Sequence, residues 1–132
     1  MRPTIAVVAL LAALTASVAI AQVQKAQVTF ESLAASGVNG GASLKSMPDG
    51  DVQIHATLDG LQPNTDYIAL VFDASQSCAD GTSSLQVIQF NSNPAGKASW
   101  TTKVSEPIAQ IQSVGIRVQS SNALVACGTV TQ

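Results

Sequence analysis

The sequence is poor in the residues that catalytic and metal sites require. It has one histidine, His55, and two cysteines, Cys78 and Cys127, among 132 residues. A zinc or copper site needs about three or four nitrogen, sulfur or oxygen ligands, so a single imidazole cannot form one of the usual kind. A serine hydrolase needs a base beside its nucleophile, and the chain has neither a G-x-S-x-G motif nor a second histidine. We therefore expect no catalytic residue, no metal and no cofactor.

Clusters of positive charge and aromatic residues are also scarce. Charged residues make up 11% of the chain, aromatic residues make up 4%, and the formal net charge is −2. Because a phosphate backbone is bound by Lys and Arg, this balance excludes nucleic acid as a partner. Sugar and single-strand sites usually need exposed aromatic side chains. The strand pattern instead assigns Trp100 to the core and His55 to a polar surface.

The N-terminal residues have the three parts of a secretory signal peptide. Arg2 is followed by an apolar run at residues 5–20, which overlaps the small-x-small triplet Ala19-Ile20-Ala21. This pattern predicts a signal peptide at residues 1–21 and cleavage before Gln22. The apolar run is shorter than the roughly 20 residues that a membrane-spanning helix needs. We expect a secreted or periplasmic protein with one mature domain at residues 22–132.

The mature part shows a period of two rather than a helical period. Residues 52–58, 98–104 and 114–119 alternate apolar and polar side chains, as half-buried β-strands do. Further strands are predicted at residues 25–30, 42–47, 67–72, 85–90 and 124–130. Pro48 and Gly50 indicate a hairpin turn, and Pro107 indicates one short helical turn within residues 106–112. About eight short strands separated by such turns favour an all-β, antiparallel β-sandwich.

The two cysteines both lie in the predicted exported part. In an oxidising compartment an even pair is expected to be joined, so we predict a Cys78–Cys127 disulfide. The two cysteines are 49 positions apart. In the chain-entropy model, closing a loop of that length stabilises a domain by about 4 kcal/mol.

Two segments of the mature chain resemble a known group of proteins. Residues 114–119 and the segment Leu124-Val125-Ala126-Cys127-Gly128 resemble the end of copper/zinc superoxide dismutases. Residues 60–67, Gly-Leu-Gln-Pro-Asn-Thr-Asp-Tyr, resemble a segment of small secreted bacterial domains of superoxide-dismutase-like or chordin type (CHRD). The resemblance covers residues 52–130. It implies a Greek-key β-sandwich in which a disulfide ties the loop after residues 67–72 to the final strand.

The sequence departs from the enzymes of this group at their metal ligands. The enzymes have a His-x-His motif where this chain has Leu70-Val71-Phe72, and a histidine where it has Gln119. Residues 79–84 are too few for the long metal-binding loop and contain no histidine. We therefore expect Leu70, Phe72 and Gln119 to form a contact patch for a partner. The alternative is that a neighbouring loop covers Leu70 and Phe72.

Three functional hypotheses follow. The first is an exported, non-catalytic β-sandwich with a binding or structural role in the envelope or the extracellular space. The second is a superoxide-dismutase-like metal-binding protein or enzyme with a relocated site. The third is a secreted inhibitor or envelope chaperone that acts by strand addition. The residues leave the partner and the oligomeric state open.

The signal-peptide hypothesis predicts the N-terminus of the mature protein. Signal peptidase accepts small side chains such as those of Ala19 and Ala21, so mass spectrometry of protein exported by its native host should show a chain that begins at Gln22. A mature chain that retains Arg2 would contradict the hypothesis.

Overall fold

A computed structural model of the protein describes residues 23–78 and 83–132. These residues form eight strands: β1 (Lys25–Ser32), β2 (Asn39–Ser46), β3 (Val52–Asp59), β4 (Asp66–Phe72), β5 (Gln86–Asn91), β6 (Ala98–Val104), β7 (Ser113–Val118) and β8 (Leu124–Thr131). The predicted helical turn is a 3-10 helix at Ile108–Gln110, with Pro107 just before it. Residues 23–78 and 83–132 contain no candidate membrane-spanning helix. The predicted signal peptide, residues 1–21, lies outside the described residues.

The period of two in the sequence corresponds to alternating burial in the strands. In β3, Val52, Ile54, Ala56 and Leu58 are buried. The hairpin between β2 and β3 closes with a hydrogen bond from the Met47 backbone N–H to the Asp51 carbonyl (2.7 Å). Gly50 in this turn has a φ of 91°, a conformation that glycine adopts without the steric cost that other residues incur.

All strand pairs are antiparallel and belong to a single sheet. The strand order is β5-β4-β7-β8-β1-β2-β3-β6, which places β3 beside β6 and β4 beside β7. These non-sequential neighbours are typical of Greek-key connections. The predicted all-β, eight-stranded antiparallel fold is confirmed, with one refinement. The two layers of the predicted sandwich belong to one nearly closed sheet, because β8 pairs with both β7 and β1.

The inner faces of the strands enclose one hydrophobic core. Its largest fully buried side chains include Tyr67, Leu44 and Ile54. Trp100 is only 6% exposed, as its alternating strand predicts. The ring of Phe90 stacks on Tyr67 at 5.6 Å between centroids and lies 6.3 Å from Trp100. The Tyr67 hydroxyl accepts a hydrogen bond from the Gln62 backbone N–H (2.9 Å), which satisfies this buried polar group.

Strand β8 comes so close to β1 that one position has no room for a side chain. A Cβ atom at Gly128 would lie 2.3 Å from Val28 Cγ1 and 2.8 Å from the Thr29 carbonyl oxygen. Close approach of two backbones is one of the reasons for glycine inside a strand. Gly128 therefore lets β8 approach β1 while its other side pairs with β7.

Substitution of Gly128 by alanine tests this packing. The added methyl group would push Val28 and the β1 backbone away from β8, so we expect a loss of about 1–3 kcal/mol in the free energy of unfolding. Urea denaturation measures the loss. Thr129→Ala is the matched control, since Thr129 is exposed on the same strand. Equal stability of Gly128→Ala and the wild type would show that the contact is not tight.

Candidate binding surfaces

The structure places the three residues of the predicted contact patch at different sites. Leu70 is half-buried in the middle of β4, whereas Phe72 at the end of β4 is 0% exposed. Gln119 is exposed, and its backbone N–H donates to the Asp66 carbonyl (3.0 Å) at the opposite end of β4. At about 3.3 Å per residue, Asp66 is about 13 Å from Leu70 and about 20 Å from Phe72 along the strand. Gln119 therefore does not join the other two in one patch.

Phe72 is buried although its position in the strand assigns it to the outer face. Tyr67, Ala69 and Val71 point into the core, so alternation directs Leu70 and Phe72 outward. Phe72 and Cys78 are buried without belonging to the core cluster. A Cβ atom at Gly115, which is paired with Leu70, would lie 3.0 Å from Cys78 Cβ. The segment after β4 therefore lies on the outer face, in agreement with the alternative of a covering loop.

The predicted disulfide joins the segment after β4 to strand β8. Cys78 and Cys127 are bonded, with their Cα atoms 5.8 Å apart and 49 positions apart in sequence. Cys127 is paired with Gly115 in β7 and with Glu31 in β1. The bond therefore fixes the segment after β4 at the point where the two halves of the sheet meet.

A hydrogen-bonded turn begins the same segment. Asp73 Oδ1 accepts hydrogen bonds from the Ser75 hydroxyl and from the Ser75 backbone N–H (2.8 Å). These bonds, the hydroxyl bond first, hold the pKa of the Asp73 carboxyl below its usual value because they favour its charged form. Asp73 therefore has a structural role in the turn.

An apolar patch remains on the outer face beside the covered region. Leu70 is paired with Val87 of β5, and Ile68 lies one step further along the same face of β4. Ile68 and Leu70 are half-buried, whereas Val87 is 52% exposed. We call Ile68, Leu70 and Val87 the outer apolar patch. Sequence reasoning found Leu70 but missed Val87, although Gln89 and Asn91, which share its face at a spacing of two, indicated that this face of β5 is the polar one.

His55 occupies the polar surface that its strand pattern predicts. It is exposed, and its Nδ1 lies 2.8 Å from the Thr101 hydroxyl on the neighbouring strand. The Asp49 carboxylate accepts a hydrogen bond from the Asp51 backbone N–H (3.0 Å), so it belongs to the hairpin turn. Within residues 23–78 and 83–132, no three His, Cys, Asp or Glu side chains form a group that could hold a metal ion.

A cleft of about 450 Å³, lined by both polar and apolar residues, lies at one end of strands β3 and β6. Its lining includes Asp59, Asn93, Lys97 and Ser99. Asn93 Oδ1 accepts the Lys97 backbone N–H (2.9 Å), and Asp59 Oδ1 accepts the Gly60 backbone N–H (2.8 Å). The cleft thus offers hydroxyl and amide groups and one charge of each sign. This set can hydrogen-bond a small polar ligand.

Comparison with known proteins adds no further assignment: no family model matches the chain, and no curated protein matches it significantly.

Removal of the disulfide tests its structural role. We expect the double variant Cys78→Ser/Cys127→Ser to lose about 2–5 kcal/mol in the free energy of unfolding, because the denatured chain gains freedom and the covering segment is released. Urea denaturation with and without dithiothreitol measures the effect. The reductant should destabilise the wild type and leave the double variant unchanged. A wild type that is insensitive to complete reduction would contradict this role.

Proposed function

We propose that the protein is an exported, non-catalytic β-sandwich domain that acts through its surface, in a binding or structural role in the envelope or the extracellular space. The observation that carries the proposal is the Cys78–Cys127 disulfide, which fixes the segment after β4 to strand β8. Such bonds form and persist in oxidising compartments and are rare in the cytosol.

The arrangement of polar side chains supports a role without chemistry. His55 lies on an exposed strand face with the Thr101 hydroxyl as its partner. Leu70 and Phe72 supply only hydrocarbon, and Gln119 lies at the far end of their strand. The outer apolar patch and the cleft at the end of β3 and β6 are instead suited to contact, since apolar surface with a few polar groups is typical of binding sites.

The superoxide-dismutase-like or chordin-type resemblance is part of the proposal. It implies a Greek-key sandwich and a disulfide from the segment after β4 to the final strand, and the observed strand pairs and the Cys78–Cys127 bond are consistent with both. The resemblance assigns Leu70, Phe72 and Gln119 to ligand positions of the enzymes, whereas here Gln119 lies at the far end of β4 from Phe72, so the three residues do not converge on one site. On this proposal the chain shares the scaffold of that group and lacks its metal chemistry.

Analysis of protein from its native compartment tests the proposal. We expect the periplasmic or secreted fraction to contain the oxidised chain with only substoichiometric copper and zinc and without superoxide dismutase activity. Adding EDTA should leave the Tm unchanged, because no ligand that stabilises the native state is removed. Elemental analysis, an activity assay and thermal denaturation measure these properties.

Two variants separate this proposal from the metal-binding hypothesis. His55→Ala removes the imidazole. Thr101→Ala retains the imidazole and removes the hydroxyl that lies beside it. One equivalent of copper or zinc in the wild type and in Thr101→Ala, but not in His55→Ala, would favour a relocated metal site and overturn the non-catalytic proposal. Recovery of the reduced chain from the cytosol would overturn the proposed export.

A further inference from the structure

Strand β5 forms one end of the hydrogen-bonded sheet. It pairs with β4 on one side, and among the described residues no backbone hydrogen bond joins it to β6 on the other. Side chains alone approach across this gap. Gln86 Nε2 lies 3.3 Å from Thr102 Oγ1, and the ring of Phe90 lies near that of Trp100. Within residues 23–78 and 83–132, one edge of β5 therefore has backbone groups without a strand partner.

The register of β4 and β5 identifies these backbone groups. The Ser92 N–H donates to the Thr65 carbonyl (3.0 Å), and the same register pairs Tyr67 with Phe90 and Ala69 with Ile88. Because the N–H and C=O groups of successive residues point to opposite sides of a strand, the even-numbered residues of β5 face β4. The odd-numbered residues direct their backbone groups to the free edge. These residues are Val87, Gln89 and Asn91.

Strand β5 contains none of the residue types that usually protect an edge strand. Its sequence, Gln-Val-Ile-Gln-Phe-Asn, has no charged residue, proline or glycine. Lysine, proline and bulges are the common means by which proteins prevent edge-to-edge pairing. An uncharged six-residue segment rich in strand-forming residues is instead prone to pair with another strand.

We propose that the β5 edge pairs with the β5 edge of a second copy of this chain. In an antiparallel pair with Gln89 on the twofold axis, each Gln89 exchanges backbone hydrogen bonds with its counterpart. Val87 then faces Asn91 of the second copy on the outer side of the sheet. On the inner side, Ile88 faces Phe90 of the second copy. This inference goes beyond the proposed function and stands independently of it, since it depends only on the β5 edge.

Three properties of the edge favour a second copy as the occupant. Ile88 and Phe90 are only half-buried in one copy, and self-pairing would remove more of both from water. The two Gln89 side chains on the axis can hydrogen-bond to each other. The predicted mature chain has an excess of acidic over basic residues, but β5 has no charge, so the paired strands place no like charges together.

The area available limits the strength of this association. One six-residue strand and the neighbouring outer apolar patch form a small interface. Interfaces at the low end of the size range are weak and transient, so we expect a dissociation constant of about micromolar or weaker. The dimer should therefore form and dissociate with protein concentration.

Substitution of Gln89 by proline tests the proposal directly. Proline removes the N–H that points to the free edge and leaves the hydrogen bonds of β5 to β4 in place. Gln89→Thr is the matched control, since it retains the N–H in a residue that strands accept. Sedimentation velocity of the mature protein over a range of concentrations should show a monomer–dimer equilibrium for the wild type and Gln89→Thr. Gln89→Pro should stay monomeric.

A second pair of variants keeps the test valid if Gln89→Pro does not fold. Val87→Lys adds a charge at the edge, at a side chain that is 52% exposed and so tolerates substitution. Val23→Lys is its control, because Val23 is equally exposed and lies outside β5. We expect Val87→Lys to weaken the dimer at least tenfold and Val23→Lys to leave it unchanged. In the wild type, amide exchange at Val87, Gln89 and Asn91 should slow as the concentration rises.

The same measurements define the results that would overturn the proposal. A wild type that is monomeric at every concentration would refute self-pairing. So would a dimer that persists in a folded Gln89→Pro or in Val87→Lys. Protection of the three edge amides only when an envelope extract is added would assign the edge to a strand of another protein, and would equally refute the second copy as its occupant.

Discussion

Pairing of β8 with two strands at once is the interaction on which the rest of the structure depends. Its register aligns Ala126 and Cys127 both with β7 and with β1. Without β8 the hydrogen-bonded strands would separate into β5-β4-β7 and β1-β2-β3-β6. Each part has one apolar face, and each face is buried only against the other part. Gly128 and the Cys78–Cys127 disulfide both lie at this junction. Gly128 leaves room for β8 to approach β1, and the disulfide links β8 to the segment after β4.

The surface features follow from how this sheet closes. The hydrogen-bonded order runs from β5 through β8 to β6. Among the described residues β5 and β6 meet only through side chains, so the backbone edge of β5 has no strand partner there. The disulfide holds the segment after β4 against the outer face near β8, with Phe72 buried on that side of the sheet. The uncovered part of the same face is the outer apolar patch, next to the free edge. The outer apolar patch and the unpaired edge of β5 therefore lie next to each other, away from the junction at β8.

The alternation of apolar and polar residues predicted the strands and the core better than it predicted the surface. A period of two identifies which residues share a face, so it predicts both the burial of Trp100 and the exposure of His55. It does not identify what covers an outer face, so the burial of Phe72 was left as an alternative. Nor does it define register, which separates Gln119 from Leu70. Strand β2 begins earlier than predicted, at Asn39, because Gly40 and Gly41 belong to it where β3 and β1 approach closely.

The position of β8 in the chain also determines when the protein can fold. Strand β1 is paired with a strand about a hundred residues later, and such long-range pairing is slow to form. Until residues 124–131 are available, β1 and β7 both present unpaired edges and Cys78 has no partner. Chains that lack this segment would therefore display exposed strand edges together with a free thiol, and unpaired strand edges make a chain prone to aggregate. Only chains that include β8 can pair both edges and form the disulfide, so the C-terminal strand completes the fold.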